Sequence, residues 1–297
     1  MAGLACAQAL QSEHVQLTVF DKGRRPGGRV ATRQTGTYIF DHGTPWLPEL
    51  FGFPGQPWNG QLWNGHWVGV PSMQALVPRP ASTTLHQGRH VAFLHADGFG
   101  WSVRHRESRV TDPSLVSDTD GVMDGPYDAV VLAIPAPQAA KLLSGIGLDA
   151  VARSVSQAIM TPAWTVMAGW DVRGSGIVGT HHMPLERVYL DSARPGRSAA
   201  PECWTAHATA DWSQAHLYER PQTVLETMLK ALAPTIQRTL RPDHAAVQRW
   251  RYARTGKPLG QPCLDTGRGL VVCGDWCLGP DVSDAIASGL AAALAIL

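Results

Sequence analysis

The chain has 297 residues, 44% of them hydrophobic, with 25 lysines and arginines against 24 acidic residues and a formal net charge of +1. This supports one large core or two ordinary ones, and the even charge excludes the bias that would draw nucleic acid or a membrane surface, leaving a small-molecule substrate as the expected partner. The apolar tail ASGLAAALAIL is shorter than the roughly 20 residues that span a bilayer, and the opening residues lack the positive region of a signal peptide, which points to the cytoplasm. Five scattered cysteines are expected to be reduced. CGDWC lacks the spacing and second ligand pair of a zinc site, so no metal is expected.

In chain order, MAGLACAQAL reads as a helix with no capping residue ahead of it. VQLTVFD is a short β-branched run ending in an acid, a buried parallel strand, and RRPGGR breaks it as a loop. TYIFD is another short strand. The Gly- and Trp-rich stretch from Pro48 to Gly69 reads as turns and hairpins, SMQALV as a short helix, and HVAFLH and GWSVRHR as two strands. Residues 107–126 read as a loop and YDAVVLAIPAP as a central strand.

From about Gln157 to Arg254 the pattern changes to an antiparallel sheet built from WTVMAGWDV, ERVYLDS, ECWTAHAT and AAVQRWRYA. The amphipathic helix PQTVLETMLKALAPTI presents Val224, Leu225, Met228, Leu229 and Leu232 on one face. GLVVCGDW is a strand running into Gly and Asp, and a last helix starts near Val282.

Gly3 and Asp21 fit the third glycine and the ribose-binding acid of a dinucleotide-binding βαβ unit. The first strand and the first two glycines of G-x-G-x-x-G would then precede residue 1. Either the start codon lies upstream, or the chain is a truncated product with a vacant slot in its sheet, its neighbouring strands left without a ladder partner.

Arg25, Gly27, Gly28, Arg29 and Thr32 match R-x-G-G-R-x-x-[ST] directly after Asp21. The glycines let backbone approach a diphosphate and the arginines supply fixed positive charge. With FDHGTPW, WVGVPSMQAL, YDAVVLAIPAPQA and LVVCGDWCLGPDVSDAIASGL, the chain resembles the renalase-like bacterial branch of the flavin amine oxidase superfamily.

The resemblance implies an α/β fold: a discontinuous FAD/NAD(P)-binding Rossmann-like domain over residues 1–48, 71–148 and 257–297, and an inserted, mostly antiparallel α+β substrate domain over 49–70 and 149–256. It implies FAD as cofactor, held by Gly3, Asp21, Lys22, Arg25, Gly27, Gly28, Arg29, Thr32, Gly43, Gly274 and Asp275, with the helix from Val282 aimed at the flavin pyrimidine. The activity implied is hydride transfer from a dihydronicotinamide-type or amine substrate to flavin, reoxidised by O2. The alternative is a degenerate member that no longer binds FAD.

Ser283-Asp284-Ala285 departs from the family's small residue at this point: Asp284 either crowds the flavin or points outward as a helix-start acid. His42 is a candidate for acid, base or positioning chemistry against a hydrogen-bonded structural role. Trp46, Trp58, Trp63, Trp67, Trp164 and Trp250 divide between core and a pocket lining. His181 and His182, adjacent in a supposed strand, are expected on opposite faces and at the surface.

Overall fold

The computed structural model describes residues 1–11, 15–49, 59–108 and 120–297. The chain forms two compact units, one of residues 1–28, 78–160 and 255–297, the other of residues 29–77 and 161–254.

In the first unit the uncapped helix Ala2–Leu10 buries Ala2, Leu4, Ala5, Cys6, Ala7 and Leu10. It packs on the last helix, Val282–Ile296, through Ala2, Cys6 and Leu10 against Ala285, Ala292 and Ala293. Leu17–Asp21 runs parallel to Thr83–Gln87, with Asp21 opposite Gln87. The strand is half-buried along its length rather than buried.

A second parallel pair joins Val130–Leu132 to Leu270–Val272, with Leu264–Asp265 antiparallel on the far side. Among the described strands, Leu17–Asp21 and Val130–Leu132 each have one ladder partner. A three-stranded antiparallel sheet, Arg89–Asp97, Gly100–Glu107 and Val122–Tyr127, and the helices Ala136–Gly145 and Asp149–Val155 complete the unit. Leu94, Trp101, Leu132, Leu143, Leu270 and Trp276 form its core.

The strand Val122–Tyr127 corrects the reading of 107–126 as one loop; residues 109–119 of that stretch lie outside the described residues. Its sequence, VMDGPY, carries Asp, Gly and Pro, which strands disfavour, so pairing with Gly100–Glu107 overrides propensity.

The second unit holds a four-stranded sheet in the order Leu185–Leu190, Glu202–Ala208, Ile159–Trp170, His244–Lys257. Leu185–Leu190 and Ile159–Trp170 both run antiparallel to Glu202–Ala208. The unit boundaries fall inside the two longest strands. Trp164, Val166, Ala168 and Trp170 alternate along one face of Ile159–Trp170 and meet Val224, Met228 and Leu232 of the helix Pro221–Thr235. On the opposite face Met167 packs with Phe40, and Gly169 lies under the Tyr38 ring. Both faces are therefore covered, and the strand is buried from Trp164 to its end.

That second contact explains where the compact units depart from the sequence-assigned domains. Residues 29–48 and 71–77, assigned by sequence to the first domain, belong to the second unit, because the hairpin Arg33–Thr35/Tyr38–Phe40 closes the open face of the four-stranded sheet. Residues 149–160 and 255–256 fall in the first unit instead.

SMQALV forms a 3-10 turn, Met73–Leu76. Gly60–Trp63 and His66–Gly69 make the hairpin expected there. Residues 50–58, Trp58 among them, lie outside the described residues. His181 and His182 are exposed, as expected, but lie in irregular chain ahead of Leu185 rather than in a strand. Among the described residues no helix is long and apolar enough to cross a membrane.

Candidate functional site

The predicted site residues divide between the two units. In the first, Gly3 sits where a Cβ would meet the Ala133 Cβ at 3.0 Å, the close helix-to-strand contact that the third glycine of a dinucleotide motif serves. Asp21 closes its strand, and its Oδ1 accepts a 2.6 Å hydrogen bond from the Gly23 amide. Burial raises the Asp21 carboxyl pKa and the Gly23 hydrogen bond opposes that shift. Lys22 and Arg25 are exposed on the following loop.

Gly27 and Gly28 take φ of 110° and 62°, where a side chain is strained. A Cβ on Gly28 would meet nothing within 4 Å. The loop thus presents open backbone beside Asp21 and basic side chains, a surface that fits a diphosphate.

The C-terminal motif is tied into the fold more tightly. The Gly274 amide donates to Ser288 Oγ at 2.9 Å, and a Cβ there would strike the Trp276 indole. Asp275 is buried and accepts from Thr255 Oγ1 at 2.8 Å. Val282 opens the last helix, with Asp281 as its cap. Asp284 turns back: its Oδ2 accepts from the Asp281 amide at 2.9 Å, completing a capping box. Of the two orientations open to Asp284, the structure shows the helix-start acid.

The second unit holds Arg29, Thr32, His42 and Gly43. Arg29 Nη1 donates to the Ala253 carbonyl at 3.0 Å. Gly43 lies so close to the Arg29 carbonyl that a Cβ would sit 1.9 Å from it; the Thr44 amide donates to the same oxygen at 2.7 Å. Thr32 Oγ1 donates to Asp41 Oδ1 at 2.6 Å and accepts from the Gln74 amide at 3.1 Å.

Asp41 in turn is the centre of a buried ionic cluster that sequence reasoning missed. Arg197 pairs with Asp41 Oδ2, and its Nη1 lies 3.4 Å from Asp191 Oδ1. Arg194 Nε is 3.1 Å from Asp191 and its Nη1 3.7 Å from Asp41, with the arginine side chain 0% exposed. Thr205 donates to Asp191. The guanidinium of Arg194 also lies over the Tyr189 and Trp63 rings. The only signal for it is the three-residue spacing of Asp191, Arg194 and Arg197 in DSARPGR, which without a fold reads as a polar loop.

His42 is 8% exposed, its ring tilted on Trp250 at 5.3 Å, and its Nδ1 has no hydrogen-bond partner. Burial, then the charge of Arg33, lowers its pKa to about 4, so the imidazole is neutral at ordinary pH. Trp250 Nε1 donates to the His42 carbonyl at 3.0 Å. Nearby in sequence pairing, Tyr189 Oη and His207 Nε2 are 2.6 Å apart, and burial lowers His207 to about 3 while raising Tyr189. Trp164 is fully buried core, whereas Trp46 stacks on His66 at 4.7 Å. Among the described residues no group of three His, Cys, Asp or Glu is placed to hold a metal ion.

Residues 1–56 match the model of the NAD(P)-binding Rossmann-like domain. The fold is Rossmann-like α/β. Among solved structures, the chain is similar to a protein assigned as a protoporphyrinogen oxidase from Exiguobacterium sp. 255-15, with TM-score 0.58 and 15% identity over 78% of this chain and 52% of that one. It is also similar to cyclohexylamine oxidase from Brevibacterium oxydans IH-35A, with TM-score 0.51 and 13% identity over 77% of this chain and 52% of that one. The chain spans about half the length of these structures.

Proposed function

We propose that the protein is an FAD-dependent oxidoreductase taking a hydride from a small organic donor, a dihydronicotinamide or an amine, with O2 as final acceptor. The observation that carries this reading is the arrangement at Gly3, Asp21 and Gly28: a helix seated closely on Ala133 at the end of the strand Val130–Leu132, an acid at the end of the parallel strand that follows the helix in sequence, and open positive-φ backbone among arginines.

In that role Asp21 accepts from adenosine ribose hydroxyls, while the amides around Gly27 and Gly28 and the charge of Arg25 hold a diphosphate. Lys22 adds positive charge on the same loop. Bound FAD supplies the two-electron acceptor, which the protein's own side chains lack. For Gly274, Asp275 and Val282, and for Arg29, Thr32 and Gly43 of the second unit, a role toward FAD rests on the sequence resemblance. His42 fits a positioning role: neutral, buried, and with one ring nitrogen to give or accept a single hydrogen bond.

The test is a visible absorption spectrum of the purified chain after incubation with FAD and gel filtration. Retained flavin bands are the expected result. A colourless protein overturns the reading and leaves the alternative of a fold that does not bind FAD. With flavin retained, anaerobic mixing with dihydronicotinamides and with amines separates the donor classes by the rate of bleaching, and no bleaching by either rejects both.

A further inference from the structure

Tyr189 and His207 form a buried pair that the proposed reaction leaves idle. Tyr189 lies opposite Thr205 and His207 opposite Arg187 on one antiparallel ladder, so both side chains leave the same face of the second unit's sheet. The phenol Oη and the imidazole Nε2 are 2.6 Å apart, with the rings edge to face. Tyr189 is 6% exposed, so water does not compete for the hydroxyl. The His42 main chain hydrogen-bonds the His207 ring and raises its pKa against burial, the sign of a carbonyl accepting the imidazole N–H. Nε2 then carries the lone pair, and Tyr189 donates to it.

At rest the proton stays on oxygen. Burial, then the charge of Asp191, raises the Tyr189 hydroxyl well above the usual phenol range, and burial lowers His207 to about 3. Removing an electron from the ring reverses that balance, because an oxidised phenol is a strong acid. The Arg194 guanidinium, 5.4 Å from the ring centre, opposes a second positive charge there. The electron therefore leaves as the proton crosses to Nε2. A path to solvent is present too: Trp46 meets the Tyr189 ring edge-on at 5.8 Å and stacks on His66 at 4.7 Å, and Trp46 and His66 are both half-buried. By contrast, Tyr38 donates to Asp171 at an exposed site and Tyr218 is exposed, so either can lose its proton to water.

We propose that Tyr189 is a redox-active tyrosine, oxidised through Trp46 by one-electron oxidants from solvent, of which peroxyl radicals are one class, while its proton passes to His207. Trp46 gives one electron to the oxidant, which is reduced, and recovers one from Tyr189. The O–H bond of Tyr189 breaks, an N–H bond forms at His207 Nε2, and a neutral tyrosyl radical remains beside an imidazolium. The pair lies wholly in the second unit and does not rest on the flavin reading.

Flash oxidation of the full chain by photogenerated tris(bipyridine)ruthenium(III), followed by transient absorption and electron paramagnetic resonance, tests this. The expected result is a tyrosyl signal whose rate of formation is flat between about pH 5 and pH 8, where His207 stays neutral, and slower in D2O because a proton moves with the electron. Oxidation of an exposed phenol such as Tyr218 quickens as pH rises. The flat component is expected to be lost in Tyr189→Phe and in His207→Gln and delayed in Trp46→Phe, with far-ultraviolet circular dichroism checking that each variant is folded. The pH and D2O readings are made on the wild type and decide the matter even where a variant fails to fold. A tyrosyl signal unchanged in folded Tyr189→Phe or folded His207→Gln overturns the proposal. So does a wild-type signal that quickens with pH, shows no slowing in D2O, or comes from tryptophan alone.

Discussion

Asp41 is held by Arg197 and Arg194 through its carboxylate and by the Thr32 hydroxyl and the Met73 amide through Oδ1. Removing one member of such a buried set strands the others without solvent, which costs about 3–5 kcal/mol. Arg197→Met is therefore expected to lower unfolding free energy by that order in urea titration. His42 gives a pH signature. Between about pH 6.5 and pH 4 the unfolded chain takes up a proton that folded His42, at about 4, refuses; stability thus falls as pH drops through that window and is flat above it. In His42→Gln the slope between pH 7 and pH 5 should shrink but not vanish, because burial also lowers the pKa of His207, His90, His105 and His244. At this scale the helix around Gly3 and the strand end at Asp21 were legible because the pattern that marks them is local. Gly289 was not: it reads as a weak point in a helix, yet a Cβ there would lie 2.1 Å from the Ala2 carbonyl, a partner nearly the whole chain away. Gly289→Ala should destabilise by about 1–3 kcal/mol, less the roughly 1 kcal/mol gained in helix propensity.

Among the elements, the helix Val282–Ile296 shows how a departure from a motif can have a local cause. Asp284 spends its carboxylate on the Asp281 amide, and Asp284→Ala is expected to cost about 1 kcal/mol in thermal or urea unfolding through the lost cap. The four strands of the second sheet and the helix Pro221–Thr235 were legible from apolar alternation and a 3.6-residue stripe. The helices Ala136–Gly145 and Asp149–Val155 went unread, since the apolar run before Pro135 masks where the strand stops. WTVMAGWDV was read as a strand, which the structure begins five residues earlier and ends at Trp170, but its cover on the second face was not read. That cover comes from Phe40 and Tyr38, whose own sequence reads equally well as a continuation of the N-terminal domain.

For the whole chain, each unit is stitched from separated segments, and in the first unit two parallel strand pairs span them: Leu17–Asp21 with Thr83–Gln87, Val130–Leu132 with Leu270–Val272. A fragment of residues 78–160 therefore lacks a partner for two of its strands, and its amide NMR spectrum is expected to show no native-like dispersion. The helix Ala2–Leu10 waits longest of all, because the helix that covers it is Val282–Ile296. At ribosomal rates of roughly 5–20 residues per second, the interval between the emergence of the two is on the order of tens of seconds. For that time the nascent chain carries Ala2, Cys6 and Leu10 uncovered, so this helix is made long before it is sheltered, and a holdase that recognises short apolar segments would find it exposed throughout that interval.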